Sequence, residues 1–387
     1  NLNMKQNPII IIGSGLAGYT VAREFRKLES EVPIIILSAD HGGFYSKPML
    51  SNALAKNKTP DTLLNYSSEQ MAKQMQAVIH PFSNVIAINP SDKNITLQNR
   101  EKINYDQLVL ALGANQIRLP LEGDGTDEIL SINNLDDYCY FWNMIKKKKD
   151  IAIIGAGLIG CEFANDLAVA GYNVNVVDIS EHPLGKLLPN AGGIFLQKKL
   201  EAIGVSFHFR SITKRVQKIG KKLQLTFSNG KILQTDILLT ATGLIPNISL
   251  AKEAGIKVNH GIVVNQLLQT NYSNIYALGD CAEINSRILP FVMPIMHAAR
   301  ALAATLSKNP TPVQYPAMPV LVKTPACPTV VSPPNPDING KWTVQETTDS
   351  VKALFHDSEN NLLGYALLGT VINEKNILTK ALPPIIK

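Results

Sequence analysis

The sequence predicts an α/β fold with two Rossmann-like dinucleotide-binding domains and a small C-terminal α+β domain. Two Gly-x-Gly-x-x-Gly patterns, beginning at Gly13 and Gly155, each stand between a short apolar run and a helical stretch. The twelve residues from Ile11 agree at 7 positions with the twelve from Ile153, which lie 142 residues further along the chain. An offset of that length indicates two domains of one design rather than a short structural repeat.

Both patterns belong to a strand-helix-strand sequence. Short continuous apolar runs bounded by turn residues are typical of buried parallel strands. Gly171 stands just past the second helical stretch, where a left-handed cap is favoured. The predicted βαβ units are formed by Pro8–Ile12, residues 16–28 and Ile34–Leu37, and by Ile151–Ile154, residues 158–170 and Val174–Val177.

The glycine spacing is suited to a pyrophosphate. The first glycine allows the tight turn, the second lets the backbone approach the ligand, and the third lets the helix pack on the strand. The helix N-terminus adds free N–H groups and the positive end of the helix dipole. We therefore predict two nucleotide-binding turns, made by Gly13, Ser14, Gly15, Leu16, Ala17 and Gly18, and by Gly155, Gly157, Leu158, Ile159 and Gly160.

Acidic residues follow the second strand of each unit. Asp178 stands 18 residues after Gly160, where a carboxylate would meet a ribose 2′-OH. It would repel a 2′-phosphate, and no arginine follows within a few residues, so NADH is favoured over NADPH. In the first unit, either Ser38 or Asp40 could meet the adenosine ribose, and the sequence does not decide between them.

Two dinucleotide sites in one chain indicate a relay between two cofactors. A flavin is the physical link, because it accepts a hydride in one step and can release electrons singly. Nicotinamide does not readily do the second.

Short sequence segments spread over nearly the whole chain resemble those of the pyridine nucleotide:flavin oxidoreductases with two dinucleotide-binding domains. They are a flavin-facing segment at 45–52, crossovers at 111–114 and 241–247, and a second flavin fingerprint within 270–283. Segments 160–167, 293–296 and 322–326 are similar to the rubredoxin reductase branch.

The resemblance implies tight, non-covalent FAD in the first domain and NADH as hydride donor in the second. Lys47 and Glu162 would meet near the flavin N5. The lysine would favour electron density on the ring, and the glutamate would keep the lysine oriented. Asp280 would bind a ribityl hydroxyl through a charge-assisted hydrogen bond. The other cofactor contacts implied are Pro48, Ala111, Gly113, Thr242, Gly243, Gly279 and Lys323.

We expect a discontinuous FAD-binding domain of residues 1–117 and 242–320. The NAD-binding domain would then be 118–241 and the C-terminal domain 321–387. The C-terminal part contains a predicted hairpin of Val351–Phe355 and Leu362–Leu368 around a polar turn.

Cysteine placement bears on the acceptor. The disulfide reductases of the superfamily carry a redox pair in the first domain, and this chain has no cysteine between Thr20 and Asn52. The four cysteines fit neither a zinc site nor a close redox pair, so we expect structural thiols and no metal: Cys139, Cys161, Cys281 and Cys327.

Electrons would then leave the flavin directly. The resemblance implies rubredoxin or a similar small acidic carrier as acceptor, for example in alkane hydroxylation. Basic clusters, under a net charge of +6, would steer such a partner. Three other functions stay open. They are a reductase for ferredoxin, nitrite or nitric oxide systems, an NADH oxidase or quinone reductase without a protein acceptor, and a non-enzymatic flavin redox sensor.

Composition bears on location. No apolar run reaches the roughly 20 residues of a membrane span, the start lacks a signal region, and aromatics do not interleave with the basic runs. We expect a cytoplasmic protein that binds neither membrane nor nucleic acid. A monomer is favoured, because no cysteine pair has to be completed by a second chain.

Overall fold

Two parallel sheets lie at the centre of the first three quarters of the chain. The computed structural model describes residues 6–386, and it confirms the predicted α/β fold class. The first sheet has five parallel strands, and its central strand is buried at every position, which explains its unbroken run of isoleucines. In spatial order the strands are Ile275–Ala277, Gln107–Leu110, Ile9–Ile12, Ile34–Leu37 and Val78–His80.

Helices Leu16–Leu28 and Val292–Leu306 pack together beside this sheet. Helix Leu16–Leu28 buries Tyr19, Ala22 and Phe25 in the core, and their spacing gives the helix one apolar face. Smaller elements surround them: the 3-10 helices Lys47–Asn52 and Gly279–Cys281, helices Pro60–Leu63, Ser68–Met75 and Ser249–Glu253, the antiparallel strands Val85–Asn89, Asn94–Leu97 and Lys102–Asn104, and the parallel pair Ile262–Val264 and Ala282–Ile284.

The second sheet repeats the design with four parallel strands, in the order Val205–His208, Asn173–Val177, Asp150–Ile154 and Ile237–Thr240. Gly171, just after the second helix of the pattern, has a φ of +101°, as a left-handed cap requires. The remaining elements here are helices Leu135–Met144, Leu158–Val169 and Asn190–Ala202, the 3-10 turn Thr126–Glu128, and the antiparallel strands Thr213–Ile219, Lys222–Phe227 and Ile232–Thr235.

The chain crosses between the two sheets twice, and the crossovers run side by side. Ala114–Gln116 pairs antiparallel with Leu244–Pro246. The Ile117 N–H donates to the Gly243 carbonyl at 3.0 Å, and the Asn247 N–H donates to the Gly113 carbonyl at 3.0 Å. This double connection sets the two sheets in a defined relation to each other.

The C-terminal part is a five-stranded antiparallel sheet, in the order Val320–Val322, Thr329–Ser332, Leu362–Gly369, Ser350–Asp357 and Gly340–Glu346. The 3-10 helix Thr370–Glu374 and helix Lys375–Ala381 follow. The predicted hairpin is present, and Asp357 accepts from the Glu359 and Asn361 N–H groups in its turn. One face of this sheet shares a hydrophobic core with the second parallel sheet and helix Asn190–Ala202.

In residues 6–386 no helix combines the length and apolar character needed to cross a bilayer. Within the same range, no cluster of histidine, cysteine and acidic side chains is arranged to hold a metal ion.

Candidate functional site

The first glycine turn leaves open space at one of its three glycines. Gly13 has a φ of +118°, and a Cβ there would lie 2.0 Å from the Ala111 carbonyl oxygen. A Cβ on Gly18 would lie 2.0 Å from the Gly13 oxygen. Gly15 has nothing within 4 Å of its Cβ position. The backbone therefore requires glycine at 13 and 18, whereas at Gly15 the free space lies where a ligand would approach.

The second turn has the same construction. Gly155 has a φ of +118°, and its Cβ position is 2.3 Å from the Ala241 oxygen. A Cβ on Gly160 would lie 1.9 Å from the Gly155 oxygen, and Gly157 again faces open space. Two equivalent cradles thus lie at the carboxyl edges of two parallel sheets, where ligands of such folds bind.

Each cradle ends at an uncapped helix N-terminus. Gly15 and Gly157 are the N-cap residues of Leu16–Leu28 and Leu158–Val169, and neither has a side-chain cap or an acidic residue in the first turn. The first N–H groups, on Leu16, Ala17, Leu158 and Ile159, are therefore not engaged by capping side chains. They favour an anion such as a pyrophosphate.

Asp178 lies against the second cradle. One carboxylate oxygen accepts from the Ala156 N–H at 3.0 Å, and the other accepts from the N–H and the hydroxyl of Ser180. The fold also brings Arg210 to this turn, although it is distant in sequence. Its N–H donates to the Ser180 carbonyl, and its guanidinium pairs with Glu181 at 2.9 Å. The local sequence after Asp178 gave no signal for this arginine.

At the first cradle, the side chains of Ser38 and Asp40 differ in availability. Ser38 is 2% exposed, and its hydroxyl shares a 2.6 Å hydrogen bond with Ser14 and donates to Asp40 Oδ1 at 2.8 Å. The Gly42 N–H donates to the same Oδ1. No residue in 6–386 donates to Asp40 Oδ2, so Asp40 keeps an acceptor that Ser38 lacks.

The crossovers contribute positive-φ glycines and one orphaned hydroxyl. Gly113 and Gly243 have φ values of +69° and +120°. Thr242 Oγ1 is buried and has no hydrogen-bond partner among residues 6–386. A buried polar atom without a partner is costly, and this one lies beside the Gly155 turn, so it fits a ligand group placed there. Ala111 forms the back of the first cradle through its carbonyl oxygen.

Lys47 begins the 3-10 helix Lys47–Asn52, with Pro48 at its second position. Its ammonium group donates to Asn133 Oδ1 at 2.6 Å, and Asn133 in turn donates to the Ala114 carbonyl of the first crossover. Burial lowers the pKa of Lys47, while the negative charges of Asp280 and Asp137 raise it. Two carboxylates thus favour the charged ammonium in a partly dry environment.

Asp280 lies in the 3-10 turn Gly279–Cys281, whose first residue has a φ of +80° and approaches Ala17 in the first helix. Burial raises the pKa of Asp280, and Lys47 opposes this by lowering it. No described side chain or N–H in 6–386 hydrogen-bonds to its carboxylate. An acceptor is therefore free beside the start of the first helix.

The predicted contact between Lys47 and Glu162 is absent from residues 6–386. Glu162 is 4% exposed, and both of its oxygens are occupied: the Ser51 hydroxyl donates to Oε1 at 2.9 Å, and the Lys323 N–H donates to Oε2 at 2.7 Å. Asn133 supplies the hydrogen-bond partner of the Lys47 ammonium instead. Burial is the main cause that raises the pKa of Glu162.

Two buried residues on the same helix were missed by the sequence reasoning. Asn165 Oδ1 accepts from the Ala326 N–H at 3.0 Å, and Asp166 accepts from the Leu54 and Ala55 N–H groups, each at 2.9 Å. The available signal was the spacing of Glu162, Asn165 and Asp166, which places three polar residues on one face of an otherwise apolar helix. Asn133 carried no comparable signal.

Residues 7–304 match the family model described as pyridine nucleotide-disulphide oxidoreductase. The chain belongs to this family. Residues 312–382 match a second model, described as rubredoxin binding C-terminal domain.

Several relatives of this pyridine nucleotide-disulphide oxidoreductase resemble it over almost their whole length. The rubredoxin-NAD(+) reductase of Acinetobacter baylyi is 47% identical, covering 98% of this chain and 99% of that protein, and that of Alcanivorax borkumensis is 45% identical with the same coverage. The nitric oxide reductase FlRd-NAD(+) reductase of Aliivibrio fischeri is 35% identical, covering 93% and 94%. Among solved structures, the NADH:rubredoxin oxidoreductase of Clostridium acetobutylicum shares the fold with a TM-score of 0.79 at 23% identity, covering 97% and 94%.

This member of the pyridine nucleotide-disulphide oxidoreductase family has no disulphide centre among residues 6–386. All four cysteines are free, and Cys161, Cys281 and Cys327 are buried. Burial raises the pKa of the Cys281 and Cys327 thiols to about 11 and raises that of Cys161 as well. Thiols with raised pKa values are poor nucleophiles at neutral pH, so the buried three are unsuited to a dithiol relay.

Proposed function

We propose that this protein is an FAD-dependent NADH oxidoreductase that passes electrons to rubredoxin. The observation that carries the proposal is the match of residues 312–382 to a rubredoxin binding C-terminal domain, in a chain that also has two open nucleotide cradles. The 45–47% identity to two rubredoxin-NAD(+) reductases supports the same acceptor. The lower identity to the FlRd-NAD(+) reductases, 35% or less, makes that reaction the second candidate.

FAD is assigned to the first cradle and to the discontinuous unit of residues 1–117 and 242–320. Gly15 and the first helix turn would meet the pyrophosphate. Asp40 would take the adenosine ribose, because its Oδ2 is free whereas the Ser38 hydroxyl is occupied. Asp280 would accept from a ribityl hydroxyl, since its carboxylate has a free acceptor beside Ala17.

NADH is assigned to the second cradle, in residues 118–241. Gly157 and the start of helix Leu158–Val169 would meet the pyrophosphate, and the orphaned Thr242 hydroxyl would find its partner on the dinucleotide. Asp178 would accept from the adenosine ribose and disfavour a 2′-phosphate by like-charge repulsion. Arg210 lies at the same turn and pairs with Glu181 at the surface.

FAD, when bound, supplies the hydride acceptance and the release of single electrons. Lys47, held by Asn133, places a positive charge in a partly buried position beside the assigned flavin site, where it would stabilise negative charge as it develops. Glu162 accepts hydrogen bonds from the Ser51 hydroxyl and the Lys323 N–H, and so would set the spacing of the two segments that carry the lysines. A general base is not needed for this reaction.

The C-terminal unit, residues 321–387, is proposed as part of the rubredoxin docking surface. The net charge of +6 is that of the whole chain, and it would attract a small acidic carrier toward the molecule. We place the reaction in the cytoplasm, where NADH and reduced thiols such as these four cysteines are found. We also propose a monomer, because both cradles are made entirely by one chain.

Anaerobic stopped-flow measurement tests the proposal. The FAD-loaded protein is mixed with NADH or NADPH while flavin absorbance near 450 nm is followed, and the reduced protein is then mixed with rubredoxin, ferredoxin, a quinone or oxygen. We expect faster reduction by NADH than by NADPH and faster oxidation by rubredoxin than by the other acceptors. Failure to bind FAD, or faster turnover with oxygen or quinone than with rubredoxin, would overturn it.

A further inference from the structure

Helix Leu158–Val169 has a buried polar face that the proposed cofactor contacts do not explain. Glu162, Asn165 and Asp166 are 4%, 1% and 3% exposed, in a helix whose other central residues are apolar. Their spacing of three and four residues places them side by side on one helix face. Burying such groups costs free energy unless hydrogen bonds compensate, so their partners indicate what this face does.

The first set of partners lies in the segment that begins with Lys47. The Ser51 hydroxyl donates to Glu162, and the N–H groups of Leu54 and Ala55 donate one to each oxygen of Asp166, both at 2.9 Å. These N–H groups come just after the 3-10 helix Lys47–Asn52 and are outside regular secondary structure. Asp166 therefore fixes the C-terminal end of the segment whose first residue is Lys47.

The second set of partners lies in the C-terminal sheet. The Lys323 N–H donates to Glu162 at 2.7 Å, and the Ala326 N–H donates to Asn165 at 3.0 Å. Both N–H groups belong to the short loop between strands Val320–Val322 and Thr329–Ser332. Asn165 therefore fixes the loop that carries Lys323.

We propose that Asn165 and Asp166 are positioning residues that, with Glu162, hold Lys47 and Lys323 at fixed places relative to the second nucleotide cradle. This inference rests on the proposed function, since the cradle at Gly157 begins the same helix. Asp166 stands nine residues after Gly157 in the chain, about 14 Å along the helix at 1.5 Å per residue. One rigid element thus connects the assigned NADH phosphates to both lysine-bearing segments.

Asp166→Asn is the informative substitution, because it changes one oxygen to an NH2 group that would face a backbone N–H. Asn165→Ala removes the acceptor for Ala326 and serves as a second variant should Asp166→Asn fold poorly. Asp61→Asn is the matched control, because Asp61 is exposed and lies in helix Pro60–Leu63 near the same segment.

Hydrogen exchange of the full chain without cofactors tests the contacts by themselves. In Asp166→Asn we expect amide exchange to rise at least tenfold at whichever of Leu54 and Ala55 faces the new NH2 group. Exchange at Ala326 should rise similarly in Asn165→Ala, with no change in Asp61→Asn. Unchanged exchange in Asp166→Asn and Asn165→Ala would overturn the proposed positioning contacts, whether or not the protein binds FAD.

The FAD-loaded protein then tests positioning against a merely structural role. We expect Asp166→Asn to shift the flavin absorption spectrum and reduction potential and to slow the reduction rate at saturating NADH at least fivefold, while the NADH concentration at half-saturation changes less than twofold. Faster exchange at Leu54 or Ala55 with an unaltered spectrum, potential and saturated rate would overturn the positioning role. If the exchange results are as expected but the wild-type protein does not bind FAD, the proposed function is refuted instead.

Discussion

Alanine substitution at Gly157 separates the ligand role of the second cradle from its role in folding. Gly157 has a φ of −80°, which any residue adopts, and its Cβ position has nothing within 4 Å. Gly157→Ala should therefore change the free energy of unfolding by less than about 1 kcal/mol, the size expected for a glycine-to-alanine change without strain. Gly160→Ala is the contrasting variant, because its Cβ would lie 1.9 Å from the Gly155 oxygen.

The same methyl group on Gly157 would occupy the space assigned to the NADH pyrophosphate. Inserting a methyl into a filled site costs about 1–3 kcal/mol. At about 1.4 kcal/mol for each factor of ten, the Kd for NADH should rise about 5- to 150-fold. Gly160→Ala should instead lower the free energy of unfolding by about 3 kcal/mol, because backbone must move to admit the methyl group.

Saturation of stopped-flow flavin reduction with NADH gives this Kd, and urea unfolding gives the stability. Both measurements are made on wild type, Gly157→Ala and Gly160→Ala, with the flavin absorbance of each confirming that FAD is retained. An NADH Kd within twofold of wild type in a well-folded Gly157→Ala protein would show that the second cradle does not bind the pyrophosphate.

Three further predictions follow from the charges at the site. Asp178→Asn should raise the ratio of NADPH to NADH efficiency at least tenfold in steady-state assays, because the carboxylate no longer repels a 2′-phosphate; an unchanged ratio would contradict its assignment. Burial raises the pKa of Asp166 to about 6 from its ordinary 3.8, so the folded state binds this proton more tightly than the unfolded state does. The contribution of Asp166 to the free energy of unfolding should therefore be highest below pH 4. It should fall by about 3 kcal/mol as the pH rises through 6. Urea unfolding of wild type and Asp166→Asn from pH 4 to 8 checks this, and a constant difference between them would refute it. Reduction of rubredoxin should slow at least tenfold between about 0.02 and 0.5 M salt, because screening weakens the attraction of an acidic carrier to this basic chain; a flat response would show that apolar contacts dominate docking.

The sequence alone determined the fold class and the two glycine cradles, because both depend on neighbours within a few residues. Burial on both faces of a parallel strand produces the continuous runs at Ile9–Ile12 and Ile151–Ile154. A tight turn into a helix produces the spacing of Gly13 and Gly155 from the glycines that follow. The left-handed cap at Gly171 and the C-terminal hairpin are local in the same way, and the structure has both.

Only the tertiary structure decided which side chains meet. Lys47 contacts Asn133 rather than Glu162, and Asp166 contacts the backbone at Leu54 across more than 100 residues of sequence. Arg210 reaches the turn after Asp178 from just beyond the carboxyl end of the neighbouring parallel strand Val205–His208. Hydrogen-bond partners of this kind depend on the relative placement of two sheets and a C-terminal domain. That placement results from packing across the whole molecule, which no local pattern of residues records.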